Sequence, residues 1–425
     1  MKDTNGNGEN SVTNSFLNDS ATKADSVDVE AAAEEVQYTG DVSGLDLPAG
    51  GRTGETFEDL SVLEEVDHPL VPTINHSYIK RRQSGNTTDL ENITFALSLP
   101  QFAVLLEGET GVGKDFALAY IASKTNRPMI TVNFGVGTTY EDLVGMFEPK
   151  EEASSSIVGK VQQAREALEE TFGEDVPISD AIEMVAGAES NFGWNDGLLT
   201  WAVKNGAVFH GAEINAAGGE ATMPLHGVTE EEGKRYLTLK QKGEVITDLP
   251  ITEEEIEAAG ERHGVDIREN KAKAAHMARA DKWEHEEHYG NYIHPQFRFV
   301  GSMNPPTYAG TKELNDAFKS RFVKIPIDYL PKRAEKALMF ETTPFKKNDD
   351  DDKRAVDKIT DILENLRNSY KDMDIVTPIS HREAIKVGLY SQKMAPKNAC
   401  KFVLGGIAAP EDKSKIVKLI DTTKF

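Results

Sequence analysis

Cysteine is almost missing from this chain: Cys400 is the one cysteine in 425 residues. A lone thiol excludes an intrachain disulfide and a thiolate metal cluster, fits a reducing compartment, and leaves Cys400 a packing role. No apolar run approaches the roughly 20 residues that span a bilayer. The N-terminus also has no basic, apolar leader, so the expectation is a soluble cytoplasmic protein with no membrane contact. Positive charge is short as well, with 47 Lys and Arg against 71 Asp and Glu and a net charge of -24. Holding nucleic acid needs a basic face to neutralise phosphates. Composition therefore argues against a nucleic-acid partner, and the acidity reads as solubility.

What is present divides the chain. Residues 1 to about 65 are rich in Asp, Glu, Ser, Asn, Thr and Gly, with Phe16, Tyr38 and Phe57 as the aromatics. Such a segment buries too little apolar surface to offset its ordering entropy, and it reads as a disordered acidic tail. Order is expected from about Pro69 to Pro72, with helices through Tyr78-Ile79-Lys80-Arg81-Arg82 and from Asp89 to Leu97. Compact apolar segments then recur at Phe102–Leu106, Met129–Phe134, from Asn205 to His210, Phe297–Asn304 and Phe322–Ile327. Strands separated by helical stretches imply an α/β fold, a doubly wound and mainly parallel sheet covered on both faces.

Two acidic excursions interrupt this pattern, at about 150–190 and 228–294, and read as insertions. The first carries helical runs from Val161 to Phe172 and from Ser179 to Ala186. In the second, Thr252 and Glu255 have capping-box spacing, and Asn270 to His288 reads as a long polar helix. Beyond Pro331 the pattern is helical, through Arg354–Tyr370, His381–Met394 and Asn398–Leu404, with Asp349 to Asp352 as a solvated loop. The expected domains are a tail over 1–65, an α/β domain over 66–330 and a small helical domain over 331–425.

The most informative run is Gly108-Glu109-Thr110-Gly111-Val112-Gly113-Lys114-Asp115. It follows an apolar strand and opens a helix, and it matches the phosphate-cradling pattern GxxxxGK[ST] except at its last position. The glycines let backbone N–H groups turn inward on a phosphate, and Lys114 reaches the β and γ oxygens as a point charge. Asp115 stands where a hydroxyl normally ligates Mg²⁺. A carboxylate can hold a hard cation too, but it brings negative charge toward a polyanion.

Further segments follow in order: Glu141-Asp142-Leu143-Val144-Gly145, Asp196-Gly197-Leu198-Leu199, Ala212-Glu213-Ile214-Asn215, Ser302-Met303-Asn304-Pro305, Tyr308-Ala309-Gly310-Thr311 with Glu313-Leu314, and Ser320-Arg321-Phe322. Over roughly residues 75 to 395 the chain resembles the AAA+ ATPases of the MoxR and dynein-related branch, which includes the CobS-type cobaltochelatase subunits. The resemblance implies a P-loop NTPase with a helical lid, binding ATP and Mg²⁺ through residues 108–115. It makes Glu213 the residue that polarises the attacking water, Asn304 the sensor of the γ-phosphate, Arg321 a finger inserted into a neighbour's site, and Arg382 a lid arginine on the γ-phosphate. It further implies a ring, expected to be a hexamer, that hydrolyses ATP to remodel a protein partner, often one with a von Willebrand A domain. A chelatase-type motor subunit is the nearest rival.

The chain departs from that pattern twice. Asp115 replaces the hydroxyl residue, and in Ala207-Val208-Phe209-His210-Gly211-Ala212-Glu213 the metal-organising aspartate is Ala212. One carboxylate beside the ion suits either arrangement, so the two changes read as coupled, with Asp115 as the Mg²⁺ ligand. The alternative is a nucleotide-gated scaffold without turnover, which His210 and Gly211, odd residues in a buried strand, would tolerate. A DNA-translocating motor is a third reading, against which the charge speaks. His285-Glu286-Glu287-His288, with His276 and His294, reads as a solvated charged helix before it reads as a metal site. Trp194, Trp201 and Trp283 read as packing or partner contacts.

Overall fold

The computed structural model describes residues 48–74, 76–99, 101–149, 165, 192–285, 292–305 and 313–423. In chain order the first elements are β1 (Arg52–Phe57), β2 (Leu60–Leu63), α1 (Asp89–Ser98), β3 (Ala103–Glu107), α2 (Lys114–Lys124), β4 (Met129–Asn133), α3 (Tyr140–Val144), β5 (Gly145–Pro149) and β6 (Phe192–Asp196). There follow α4 (Leu198–Asn205), β7 (Val208–Ala212), α5 (Gly219–Val228), β8 (Tyr236–Leu239), β9 (Glu244–Asp248), α6 (Glu253–His263), α7 (Ile267–His285), β10 (Tyr292–Ile293) and β11 (Arg298–Met303). The last are α8 (Asp316–Lys319), β12 (Phe322–Pro326), α9 (Lys332–Thr342), α10 (Asp350–Lys371), α11 (His381–Tyr390), α12 (Pro396–Ile407) and α13 (Lys413–Thr422).

The five expected strands form one sheet in the order β12-β3-β11-β7-β4, with every neighbouring pair parallel. Strand β3 shows why its sequence is apolar throughout. Ala103 and Leu105 enter the core on one face, while Val104 and Leu106 enter the core on the other, which also holds Leu118 and Ile121 of α2. Both faces of a parallel sheet are covered, so successive residues are buried alternately up and down. Val208 and Val300 share the α2 face, so His210 and Ser302, two residues further along their strands, lie on it as well.

Between Val228 and Arg298 the chain adds a hairpin and two helices, with Leu237, Leu239 and Ile246 of the hairpin in the same core as Leu105 and Phe209 of the sheet. Strands β8 and β9 form an antiparallel hairpin, β10 adds in parallel to β9, and α6 packs on α7 around Ile256, Ala259, Ala274 and Ala278. Thr252 caps α6 in a capping box with Glu255, as the spacing predicts. Within this stretch lies a buried charge network. Glu232 is within 3.1 Å of His276 Nδ1 and 3.3 Å of Arg235, whose guanidinium also binds Asp248. Burial alone would raise the Glu232 carboxyl, but His276, Arg235 and Arg279 outweigh it and hold the group at about 2.

The C-terminal helices have their own core, including Met339, Ile359, Leu363, Leu404 and the buried Cys400. Arg367 grips Glu335 with two bonds of 2.7 and 2.8 Å, and His381 Nδ1 lies 2.7 Å from the same carboxylate. His381 Nε2 accepts the Leu330 N–H at 2.9 Å, which ties this domain to the segment that follows β12.

Three sequence expectations need correction. Residues 78–82 are not helical, because Asp89 accepts the Arg81 N–H at 2.8 Å and the Arg81 guanidinium binds Asp89, Tyr78 and the Val112 carbonyl. Tertiary bonds there override helix propensity. Within the stretch expected to be a tail, β1 and β2 form a hairpin whose Leu60 and Leu63 are buried. Averaging composition over the whole stretch hid that short alternation. The hairpin is fastened by Arg127, which is fully buried and donates to Ser61 and to the Gln296 side chain at 3.1 Å. Burial lowers its guanidinium to about 9, and Arg298 adds to the shift. Finally, Asp349 is no loop residue: it caps α10 through the N–H groups of Asp351 and Asp352 at 2.9 and 3.0 Å, and the acidic run forms the first turn, where the helix dipole favours negative charge. The helical runs expected within 150–190 lie outside the described residues, Arg165 apart, as does the end of the Asn270–His288 helix.

Candidate functional site

The glycine loop joins the carboxyl end of β3 to α2, and its glycines are required sterically. A Cβ at Gly108 would stand 2.1 Å from the Ile327 carbonyl oxygen. At Gly111, φ is +73° and a Cβ would stand 2.4 Å from that of Ser380, so the lid touches the loop where no side chain fits. Gly113 caps α2 without a side-chain acceptor, so nothing competes for the first-turn N–H groups that favour an anion.

Lys114 is buried, and its Nζ donates to the carbonyls of Gly108 at 2.7 Å and Glu109 at 3.0 Å and to Asn304 Oδ1 at 3.1 Å. Burial lowers its pKa; the charges of Asp115, Glu109 and Glu213 oppose that, and Arg382 on α11 is close enough to add to it. Asn304 follows the end of β11. Its Nδ2 donates to Glu213 Oε1 at 3.4 Å, and its carbonyl accepts Asn215 Nδ2 at 3.1 Å. Glu213 follows β7 with φ of 55° and ψ of 38°. That left-handed turn costs a non-glycine residue on the order of 1–2 kcal/mol and re-aims the carboxylate.

Asp115, on the first turn of α2, lies with Oδ1 3.6 Å from His210 Nε2. His210 is fully buried on the facing strand, with Nε2 3.0 Å from Ser302 Oγ on β11 and Nδ1 3.3 Å from Thr131 Oγ1 on β4. Burial lowers its pKa; Asp115 opposes the shift and Lys114 adds to it. Ala212 follows two residues later on the same face. Among the described residues no three His, Cys, Asp or Glu side chains form a metal-holding group; Glu286 to His288, on which the histidine-cluster alternative turns, lie outside them. Asp115 with phosphate oxygens nevertheless fits how Mg²⁺ binds, through one or two carboxylates and the substrate.

The structure therefore brings Lys114, Asp115, Glu213 and Asn304 together, with Arg382 nearby, but not Arg321. Arg321 lies at the opposite end of the sheet: its carbonyl accepts the Ala103 N–H, whereas the loop starts beyond Glu107, about 13 Å further along the strand. Its guanidinium donates to Glu230 Oε1, Nε at 2.9 Å. Tyr308–Thr311 lie outside the described residues. Sequence reading did not single out Arg81, Thr131, Ser302 or Glu230. They arrive through strand register and side-chain reach across the chain, which no local pattern encodes; only His210 carried a signal, as a polar residue in an apolar strand.

The chain is 24% identical to Protein CbbQ of Hydrogenophilus thermoluteolus over 302 residues, 71% of this chain and 79% of that one. It is 27% identical to Protein NorQ of Paracoccus denitrificans over 35% of this chain and 40% of that one. It is 23% identical to the gas vesicle ATPase GvpN of Haloferax mediterranei over 62% of this chain and 56% of that one. It thus spans less than two thirds of NorQ and GvpN. Among the described residues no helix is long and apolar enough to cross a membrane. The family model for the AAA domain of the dynein-related subfamily matches residues 103–322, from the first residue of β3 to the first of β12. The chain belongs to the dynein-related subfamily of AAA domains, the MoxR-type branch of the AAA+ ATPases that its motifs resemble.

Proposed function

We propose that this protein is an ATPase that works as a ring, expected to be a hexamer, and uses ATP hydrolysis to remodel a protein partner. The observation that carries the reading is the Lys114–Asn304–Glu213 chain of hydrogen bonds at the mouth of the glycine loop. Phosphoryl transfer gains mainly from positioning and charge neutralisation. Residues 108–115 hold the phosphates, Lys114 neutralises the β and γ oxygens, and Asn304 orients the γ-phosphate. Glu213 accepts a proton from the attacking water. Asp115 would hold the divalent cation of the nucleotide, which when bound would offset charge on the phosphate oxygens.

Arg321 acts on a neighbouring subunit's γ-phosphate. Its distance from its own loop supports a role in trans, and a guanidinium supplied that way makes turnover depend on assembly. Arg382 reaches the γ-phosphate from the lid, residues 331–425, whose Ser380 rests on Gly111. The partner is a protein, with a von Willebrand A domain as the candidate class, or a chelatase that the ring drives. Ala212, which leaves the usual metal-side aspartate absent, supports a second reading as a nucleotide-gated scaffold. Phosphate release by the purified protein, compared with Glu213→Gln, separates the two. A motor loses turnover in the variant while keeping ATP affinity, whereas a scaffold releases none in either.

A further inference from the structure

His210 is a wholly buried imidazole in the middle of the sheet, aimed at the helix that carries the glycine loop. A neutral imidazole has one N–H and one lone pair. Thr131 Oγ1 is the neighbour of Nδ1 at 3.3 Å, and with the proton on Nδ1 the Nε2 lone pair points toward Ser302 Oγ at 3.0 Å and Asp115 Oδ1 at 3.6 Å. In that tautomer the carboxylate oxygen and the imidazole lone pair repel unless a cation lies between them; in the other, Nε2–H faces Ser302 and Asp115 and the Thr131 hydroxyl donates to Nδ1. At 3.6 Å the two are too far apart for an ordinary hydrogen bond. Two donors that share one ion at about 2.1 Å, subtending an octahedral or tetrahedral angle, stand about 3 to 3.5 Å apart. The observed separation is therefore close to that of two ligands of one cation. The remaining requirement of a metal-binding histidine, a partner that fixes the ring through its other nitrogen, is met by Thr131.

We infer that His210 and Asp115 form a mixed nitrogen–oxygen cation site beside the nucleotide phosphates, which selects Mn²⁺ or a later first-row divalent ion over Mg²⁺. The inference rests on the nucleotide-site reading above. Mg²⁺ takes oxygen ligands and sheds water reluctantly, whereas imidazole suits the transition ions, whose affinity for nitrogen rises along the series. The arrangement gives the two departures in this chain one cause. Ala212 leaves room on the face of β7 where an aspartate would crowd a second carboxylate against Asp115, and the imidazole supplies the missing donor without adding negative charge. Ser302, on the same face, supports the ring or adds a hydroxyl ligand.

Pulsed electron paramagnetic resonance of the full chain with MnCl₂ and ADP tests this without any turnover. The protein is isotopically labelled with nitrogen and the ADP is not, so a label coupling can come only from the chain. The expected result is a directly coordinated protein nitrogen on Mn²⁺, absent in His210→Asn. Calorimetry should show ADP binding about tenfold tighter with Mn²⁺ than with Mg²⁺ in the wild type, and an advantage reduced by about that factor in His210→Asn. Because His210 is buried, Asp115→Asn, on an exposed helix turn, is the second variant; it should lower Mn²⁺ affinity while a cooperative melting transition remains. ADP bound with Mn²⁺ in the wild type but with no protein-nitrogen coupling overturns the inference and leaves the nucleotide site standing. Failure of ADP to bind under every divalent ion overturns both.

Discussion

The Lys114 ammonium donates to Oδ1 of Asn304 across 3.1 Å, although 190 residues separate them in the chain. Two strand ends of one parallel sheet, β3 and β11, are adjacent, and the residues just beyond them meet at the carboxyl edge of the sheet. Ligands of open α/β sheets bind along that edge. The pair thereby joins a buried cation to an amide at the mouth of the glycine loop, and Glu213, just past the end of the next strand, completes the row.

Lys114→Ala should abolish nucleotide binding and leave the fold intact. Each charge-assisted bond is worth about 1.5–3 kcal/mol, so losing the ammonium should weaken ATP by about 100-fold or more in calorimetry. Unchanged affinity would reduce the loop to a turn.

Arg321→Ala should keep ATP affinity and lose turnover. Mixing the variant with Glu213→Gln should restore part of the activity, because each chain supplies what its neighbour lacks. Light scattering that finds a monomer at every nucleotide and protein concentration would make Arg321 merely a partner of Glu230.

Asp115→Thr alone should lower turnover, since the ion is left without a nearby carboxylate. Asp115→Thr with Ala212→Asp should recover much of it, and Ala212→Asp alone should crowd two anions near the phosphates. Additive effects on log turnover across these four proteins would show that the two positions are independent.

Gly111→Ala should destabilise the contact between loop and lid, because it adds a methyl group at a φ of +73° against Ser380. A cost of about 1–3 kcal/mol is expected by chemical denaturation. Ser380→Gly in the same chain should recover the steric part and leave the backbone part.

Acid should loosen the stretch between Val228 and Arg298 through Glu232. Its folded pKa, about 2, lies below the ordinary value of 4.5, so its contribution is fully present above 4.5 and is lost as pH falls toward 2. The depression corresponds to about 3 kcal/mol at most. Glu232→Gln should be less stable than the wild type at neutral pH, and the gap should narrow as pH falls toward 2; a gap independent of pH would refute the assignment.

Much of this architecture was legible because its signals are local. The five strand segments, the capping of α6 and the glycine loop each depend on neighbours in sequence, and they stand where the residues put them, except that the strand expected from Asn205 starts at Val208 because Asn205 ends α4. The His210 surroundings could not be read, since Thr131, Ser302 and Asp115 meet it only once β4, β7, β11 and α2 are in register. Arg81 was misread for the same reason: its helix-favouring neighbours say nothing of a carboxylate eight residues away that holds the chain extended. The acidic run at Asp349 was read by charge alone, without the helix end that makes such charge favourable.

Arg127 redraws the boundary of the folding unit. Its guanidinium is clamped between Ser61 of the N-terminal hairpin and Gln296 ahead of β11, and Asn126 beside it donates to the Leu63 carbonyl at 2.9 Å. Cutting the chain at residue 103, where the match to the family model begins, would strip the cover from a cation inside the protein and leave its donors facing a cleft. The start of the family match and the edge of the packed body therefore differ here: the match begins at the first strand of the sheet, whereas the buried Arg127 enlists Ser61 and the hairpin that precedes it.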